Sequence, residues 1–306
     1  MGFRALPTII LLLFAQHQAA FAAQAEKVAL YVDDGVWGPG VSHLKEFMKL
    51  HGFSYEVLNA EKIIHGELRA DSFSSLIMPG GKSWEYLRKL GPVGGKAILN
   101  FVEAGGGYFG ICAGGFYASS MREGPFPTGG RHEAETAIYP YGIGLFDSVA
   151  VDGANVSQLR KEFRNGVRPF DVLDESGATA GRIQALLLEG SGWRIEERVS
   201  LAQRVRVLAR FTQSHLPAIL TFEKGRGRAF ITGPHLEIEE QNFYWGLPYR
   251  DPESDWPLVE AGLNFVKRGS SSTSAALMRS IADQVRHGLK ARVPPSGRFS
   301  IPLGLF

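Results

Sequence analysis

Two residues more than a hundred positions apart, Cys112 and His235, are the side chains best suited to nucleophilic chemistry. Cys112 is the chain's only cysteine and lies in Gly110-Ile-Cys-Ala-Gly114, a G-x-nucleophile-x-G pattern. Tyr108 to Ile111 reads as a buried strand, and the Phe-Tyr-Ala-Ser run after the small residues reads as the start of a helix. Small residues on both sides of a nucleophile let strand turn sharply into helix, where larger side chains would collide. Such a turn exposes the sulfur at the strand end and aims a helix N-terminus at it, favouring thiolate over thiol. A cysteine without context is more often a small buried hydrophobe, but the flanking glycines favour the reactive reading.

A thiolate attacking a carbonyl needs a base, a group that orients the base, and donors for the oxyanion. Among the eight histidines, His235 is the best base, because it follows an apolar strand and a Gly-Pro break. Glu237 points the same way in an extended segment and can hold the imidazole in one tautomer. Alone, His-x-Glu is weak evidence, since a surface histidine beside a solvated acid looks the same. The expected oxyanion donors are the backbone N–H of Ala113 and one from Gly80 or Gly81, in a Pro-Gly-Gly turn. Asp33 either contacts a substrate amine or begins a turn. Tyr244, in Phe243-Tyr-Trp-Gly-Leu-Pro-Tyr249, either lines a pocket beside the site or packs under a loop. Arg131-His-Glu133 has no second ligand set at metal spacing and reads as a solvated loop. No metal or cofactor is expected.

These residues need a scaffold that brings them to one edge. Lys27–Asp33 reads as a first, central strand, and Asp33–Gly40 as a turn-rich loop at its carboxyl end. Val41, Leu44, Phe47 and Met48 fall at helical spacing, stopped by Gly52. Phe53–Leu58 and Leu76–Gly81 read as the next strands, and Ile98, Phe101 and Val102 mark a helix closed by Gly105. Short units of this kind predict a mainly parallel sheet covered on both faces, with ligands beyond the carboxyl ends of the strands. From Met121 to about Gly181 the pattern loosens, and Arg122–Glu133 reads as a long polar loop. Strand-like runs resume at Leu145–Val151, Ile183–Leu188, Val205–Phe211 and Ala218–Phe222. Lys224–Arg228 then reads as a hairpin turn, and Leu277, Ile281 and Val285 suggest a last helix.

The chain has 306 residues, 44% hydrophobic and 21% charged, with a formal net charge of +2. That composition is ordinary for a soluble globular protein and suggests neither nucleic acid nor an anionic membrane as partner. Residues 1–25 read as a secretory signal: Arg4, an apolar run from Ala5 to Ala15, then small-x-small sites at Ala20-Phe-Ala22 and Ala23-Gln-Ala25. The run is shorter than the roughly 20 residues a spanning helix needs, so no membrane span is expected after cleavage. Residues 26–268 then form the α/β domain, and 269–306 a C-terminal helix and weakly ordered tail.

In order, strand-Pro-Gly-Gly, the Gly-Ile-Cys-Ala-Gly turn and the late His-x-Glu resemble the class I glutamine amidotransferase-like superfamily. The strings GGGYFGICAGGFYAS, VSHLKEFMKLHGFSYEVLNAEKI and GRAFITGPHLE are closer to the N-terminal domain of fungal-type biotin–protein ligases and related stand-alone bacterial proteins. The resemblance implies a three-layer α/β/α, flavodoxin-like fold and a Cys–His–Glu triad at Cys112, His235 and Glu237. Glutaminases of the superfamily place Gln or Glu four residues after the cysteine to hold glutamine; Phe116 stands there, implying another substrate. No length remains for a biotin-ligase catalytic domain, and Gly225-Arg-Gly-Arg228 reads as a turn rather than an adenylate loop. The expectation is an exported thiol hydrolase acting on an amide or related acyl group of a small molecule or peptide. A non-catalytic binding module on the same fold is the alternative.

Overall fold

Val28-Ala-Leu-Tyr31 is apolar at every position and forms β1, buried on both faces, as a strand inside a parallel sheet must be. The structure, a computed structural model, describes residues 27–125, 136–239, 243–244, 247–248 and 254–288. The signal-like segment therefore falls outside the described residues. Among those described, no helix is long and apolar enough to cross a membrane.

β1 is followed by α1 (Gly38–Leu50), β2 (Tyr55–Leu58), α2 (Ala60–Ile64) and β3 (Ser75–Met78). Next come α3 (Ser83–Glu103), β4 (Gly107–Ile111) and the short α4 (Ala113–Ala118). α3 is broken at Gly91, whose φ of +55° precedes Pro92. That Gly-Pro pair hides the first half of the helix from a periodicity reading. A second sheet follows, built from β5 (Ser119–Pro125), β6 (Thr136–Pro140), β7 (Phe146–Val151) and β10 (Gly192–Arg194), in the order β10-β7-β5-β6. The expected Arg122–Glu133 loop is thus corrected at its start. Arg122 to Pro125 pair with Tyr139 to Thr136 in β6, because a polar strand over a small sheet carries no apolar alternation.

The main sheet is completed by β8 (Gly166–Leu173), β9 (Thr179–Leu187), β11 (Arg206–Phe211), β12 (Pro217–Lys224) and β13 (Gly227–Thr232), and the short α5 (Glu197–Ala202) leads from β10 to β11. Its order is β2-β1-β3-β4-β13-β12-β11-β8-β9. The first five strands are parallel and follow the 2-1-3-4-5 flavodoxin-like order, with β13 as the fifth. The last four extend the sheet antiparallel. Leu186 of β9, on the far edge, forms an antiparallel bridge with His235, three residues past β13. The antiparallel half therefore curls back on itself and closes a ring.

Alternation along β1 and β3 separates two cores. Val28, Leu30 and Ile77 pack with α1, α6 (Trp256–Val266) and α7 (Ser274–Arg286). Ala29, Tyr31, Leu76 and Met78 pack with α2, α3 and α4 on the other face. Three α/β/α layers result, as the sequence implies. α7 lays Leu277, Met278 and Ile281 on the antiparallel strands. The β12–β13 turn is held by its arginines: Arg226 donates to the Ala104 carbonyl, and Arg228 to the carbonyls of Ser270 and Ser272. Both guanidinium groups serve the backbone, as a turn requires and a phosphate loop does not.

Candidate active site

β4 delivers Cys112 at the carboxyl edge of the sheet. Its φ is +48° and its ψ −104°, a strained conformation for a residue with a side chain. The strain is held by the surroundings: its N–H donates to the Thr232 carbonyl at 2.7 Å, and its carbonyl accepts from Gly115 and Phe116. Gly114 makes the turn possible, because a Cβ there would run into the Met78 carbonyl. The Tyr108 hydroxyl donates to the Gly114 carbonyl at 2.7 Å and ties the helix start to the strand.

His235 is placed by the ring closure. Its N–H donates to the Leu186 carbonyl at 2.7 Å, and its Nδ1 lies 2.8 Å from Glu237 Oε1. Cys112 is near enough to the ring to raise its pKa. The three residues named from the sequence are thus brought together, and all three are buried: Cys112 is 5% exposed, His235 2% and Glu237 0%. Glu237 Oε1 stands against Gly40 in the first turn of α1, where orphan helix N–H groups favour negative charge.

Burial alone pulls the imidazole down, but the charges of Glu237 and Cys112 and the bonds to both outweigh it, pushing His235 up to about 10. The folded value lies above the ordinary 6.5. The stabilisation from the charged imidazole is therefore complete below about pH 6.5 and lost as pH rises towards 10. Two results are expected. The ¹⁵N shifts of His235 still report imidazolium at pH 8, and the wild-type urea midpoint falls between pH 6.5 and 10 by more than that of His235→Gln. A neutral ring at pH 7 would refute this assignment.

Of the expected oxyanion residues, Ala113 opens α4 directly after the sulfur. The Pro-Gly-Gly turn lies against the imidazole, because a Cβ on Gly80 would collide with His235 Cε1. The Tyr86 hydroxyl pins this turn, donating to the carbonyls of Pro79 and Gly80. Gly81 bridges Val36, so the loops after β1 and β3 are joined.

The expected substrate contacts fare differently. Asp33 reaches the same edge, but its carboxylate accepts from the N–H groups of Ala60 and Asp34 and pairs with Lys89, so it serves as a turn and helix cap. Phe116 is 4% exposed, with the Arg122 guanidinium 4.9 Å from its ring centre. The side chain of Tyr244 lies outside the described residues, as do Arg131, His132 and Glu133.

Three neighbours were missed. Trp37 meets the His235 ring edge-on at 4.9 Å, and the Leu188 carbonyl lies 3.5 Å from Cys112 Sγ. Leu186 and Ile238 pack with Trp37, Val167 and Leu188 as a small apolar roof over the histidine. Trp37 sits in the turn-rich loop the sequence does mark. Nothing in β9 says which of its ends meets the cysteine. A thiol can donate to the Leu188 carbonyl, whereas a thiolate can only accept, from His235; the two protonation states favour different partners.

The family model described as "Biotin-protein ligase, N terminal" matches residues 26–255. A Chlamydia muridarum protein described as uncharacterised is 25% identical over 228 residues, covering 69% of this chain and 80% of its own. The biotin–protein ligase of Schizosaccharomyces pombe is 24% identical over 193 residues, 62% of this chain but 29% of the ligase. Among solved structures, a glutamine amidotransferase from Thermotoga maritima aligns with a TM-score of 0.41 and 12% identity, over 69% of this chain and 76% of its own.

Proposed function

The chain belongs to the biotin–protein ligase N-terminal domain family, and from that premise we propose that it is an exported thiol hydrolase acting on an amide or related acyl group. The observation that carries the reading is the buried Cys112–His235–Glu237 line, with an imidazole held as its cation. Transfer of the thiol proton to the His235 ring generates the nucleophile. The Cys112 thiolate attacks the acyl carbon, a C–S bond forms, and the oxyanion faces the N–H groups of Ala113 and the Gly80–Gly81 turn. The imidazolium gives its proton to the departing amine, and the neutral ring then takes one from the water that releases the acyl group. Glu237 keeps the ring oriented throughout. An ATP-dependent ligase step is not part of this reading, since Arg226 and Arg228 hold backbone carbonyls.

The burial of the sulfur favours a second reading, a binding module that holds a ligand under the same roof without turnover. The rate of Cys112 alkylation by iodoacetamide separates the two. The hydrolase reading expects fast alkylation at pH 7 and a loss of roughly tenfold or more in His235→Ala, because only the thiolate reacts. A slow reaction indifferent to His235 would leave the binding module.

A further inference from the structure

One peptide group beside the sulfur is set against the form of the sulfur that attacks. The Leu188 carbonyl lies 3.5 Å from Cys112 Sγ. A thiol can donate to that oxygen, but the lone pairs of a thiolate repel it. On its other side the same peptide is tethered, the Glu189 N–H donating to Asn165 Oδ1 at 2.9 Å. Glu189 itself has a φ of +51°, the left-handed region, where a residue with a Cβ is strained.

The chain is fixed on either side of this peptide. Leu187 pairs with Gly166 in the sheet, and Gly190 is wedged so closely that a Cβ there would strike the Gly233 carbonyl. Leu188 and Glu189 lie between these anchors, past the end of β9, the first half-buried and the second exposed. Turning their shared peptide by about 180° carries Glu189 out of the left-handed region into the extended one, which any residue adopts. The turn withdraws the carbonyl from the sulfur and directs the Glu189 N–H towards it. The carbonyl then faces Asn165, whose side-chain amide carries a donor as well as an acceptor and can rotate to meet it. Both polar ends of the peptide thus keep a partner in either position, and the two positions differ in backbone strain and in the charge of sulfur they suit.

Among the described residues, the titratable groups that interact with the sulfur are His235, with Glu237 behind it, and Tyr86 of α3. Burial first, and then the Cys112 charge, hold the Tyr86 hydroxyl well above its ordinary range, so it stays neutral and the imidazole takes the thiol proton.

We infer that the Leu188–Glu189 peptide is a two-position gate over Cys112, carbonyl-in while the sulfur is a thiol and N–H-in once it is a thiolate. This rests on the hydrolase reading for the role of Cys112, and adds to it a device that covers the sulfur at rest and supports the nucleophile when it forms. No covalent bond changes in the turn itself, beyond the passage of the thiol proton to the His235 ring.

Glu189→Gly and Glu189→Ala test the gate as a pair. Both remove the carboxylate, and they differ only in the Cβ that disfavours the left-handed position. Glycine lifts that penalty and biases the gate towards carbonyl-in by roughly five- to thirtyfold. Alkylation of Cys112 by iodoacetamide, in which the thiolate displaces iodide and forms the C–S bond, is followed between about pH 5 and 10. The glycine variant is expected to react roughly fivefold or more slowly than the alanine variant near neutral pH, with the midpoint of its pH profile displaced upward. A glycine that merely loosens the roof would speed the reaction instead. Equal or faster alkylation in the glycine variant overturns the inference. Should the roof keep the reagent from the sulfur in every variant, the readout becomes the Leu188 ¹³C′ and Glu189 ¹⁵N resonances of the wild type. They are expected to move in step with the Cys112 ¹³Cβ as pH rises and to stay in place in Cys112→Ser. Resonances indifferent to the sulfur, or a sulfur that stays a thiol up to about pH 10, overturn the gate. Amide hydrolysis beneath an immobile peptide sinks this inference alone, and a moving peptide without hydrolysis sinks the hydrolase reading alone.

Discussion

Replacing Cys112 with serine is expected to lower amide turnover by roughly four orders of magnitude or more while leaving the fold in place. The hydroxyl is far less acidic than the thiol, so the charge-separated pair with His235 does not form and the attacking atom stays protonated. Stability should hardly change, because serine is nearly isosteric and the strained backbone is fixed by the Thr232, Gly115 and Phe116 bonds rather than by the sulfur. The measurement is hydrolysis of primary amides, γ-glutamyl compounds and short peptides by both proteins, with thermal unfolding as control. Equal turnover would assign the activity to another site or a contaminant.

Glu237→Gln should cost roughly 10²–10⁴ in kcat/KM. The carboxylate is fully buried and accepts from His235 Nδ1 at 2.8 Å, so it fixes the tautomer and supports the cation. Glutamine can turn its amide donor towards Nδ1, reversing the ring's proton arrangement, and His235 should then titrate well below about 10. Gly40→Ala gives a graded control: a Cβ there would sit 2.8 Å from Glu237 Oε1 and 3.1 Å from Trp37 Cε3. It should displace the acid without removing its charge, giving a smaller loss and a smaller fall in the His235 titration. A glutamine variant with near wild-type kcat/KM would show that the carboxylate is only structural.

The elements that carry the site were legible because their signals are local. Apolar runs bounded by glycine mark β1, β3 and β4, helical spacing marks α1, and a glycine-flanked cysteine marks the turn into α4. Where the sequence misled, long-range pairing decided. β5, β6 and β10 form a sheet whose strands are polar or very short, and nothing local marks Arg122 as a strand residue. At Asp33 the sequence left a turn and a substrate contact open, and the N–H groups of Asp34 and Ala60 together with Lys89 favour the turn. Phe116, singled out by its place four residues after the cysteine, is buried. The Leu188 carbonyl and the Leu186 bridge were invisible because backbone atoms have no sequence signature.

The bridge between Leu186 and His235 also bears on how the protein is made. A growing chain presents its lone sulfur early, while the imidazole that would activate it arrives over a hundred residues later and is seated only when the far strand swings round to meet it. On the hydrolase reading, reactivity would be withheld from every partly synthesised or half-folded copy, and its appearance would serve as a clock for the final step of folding.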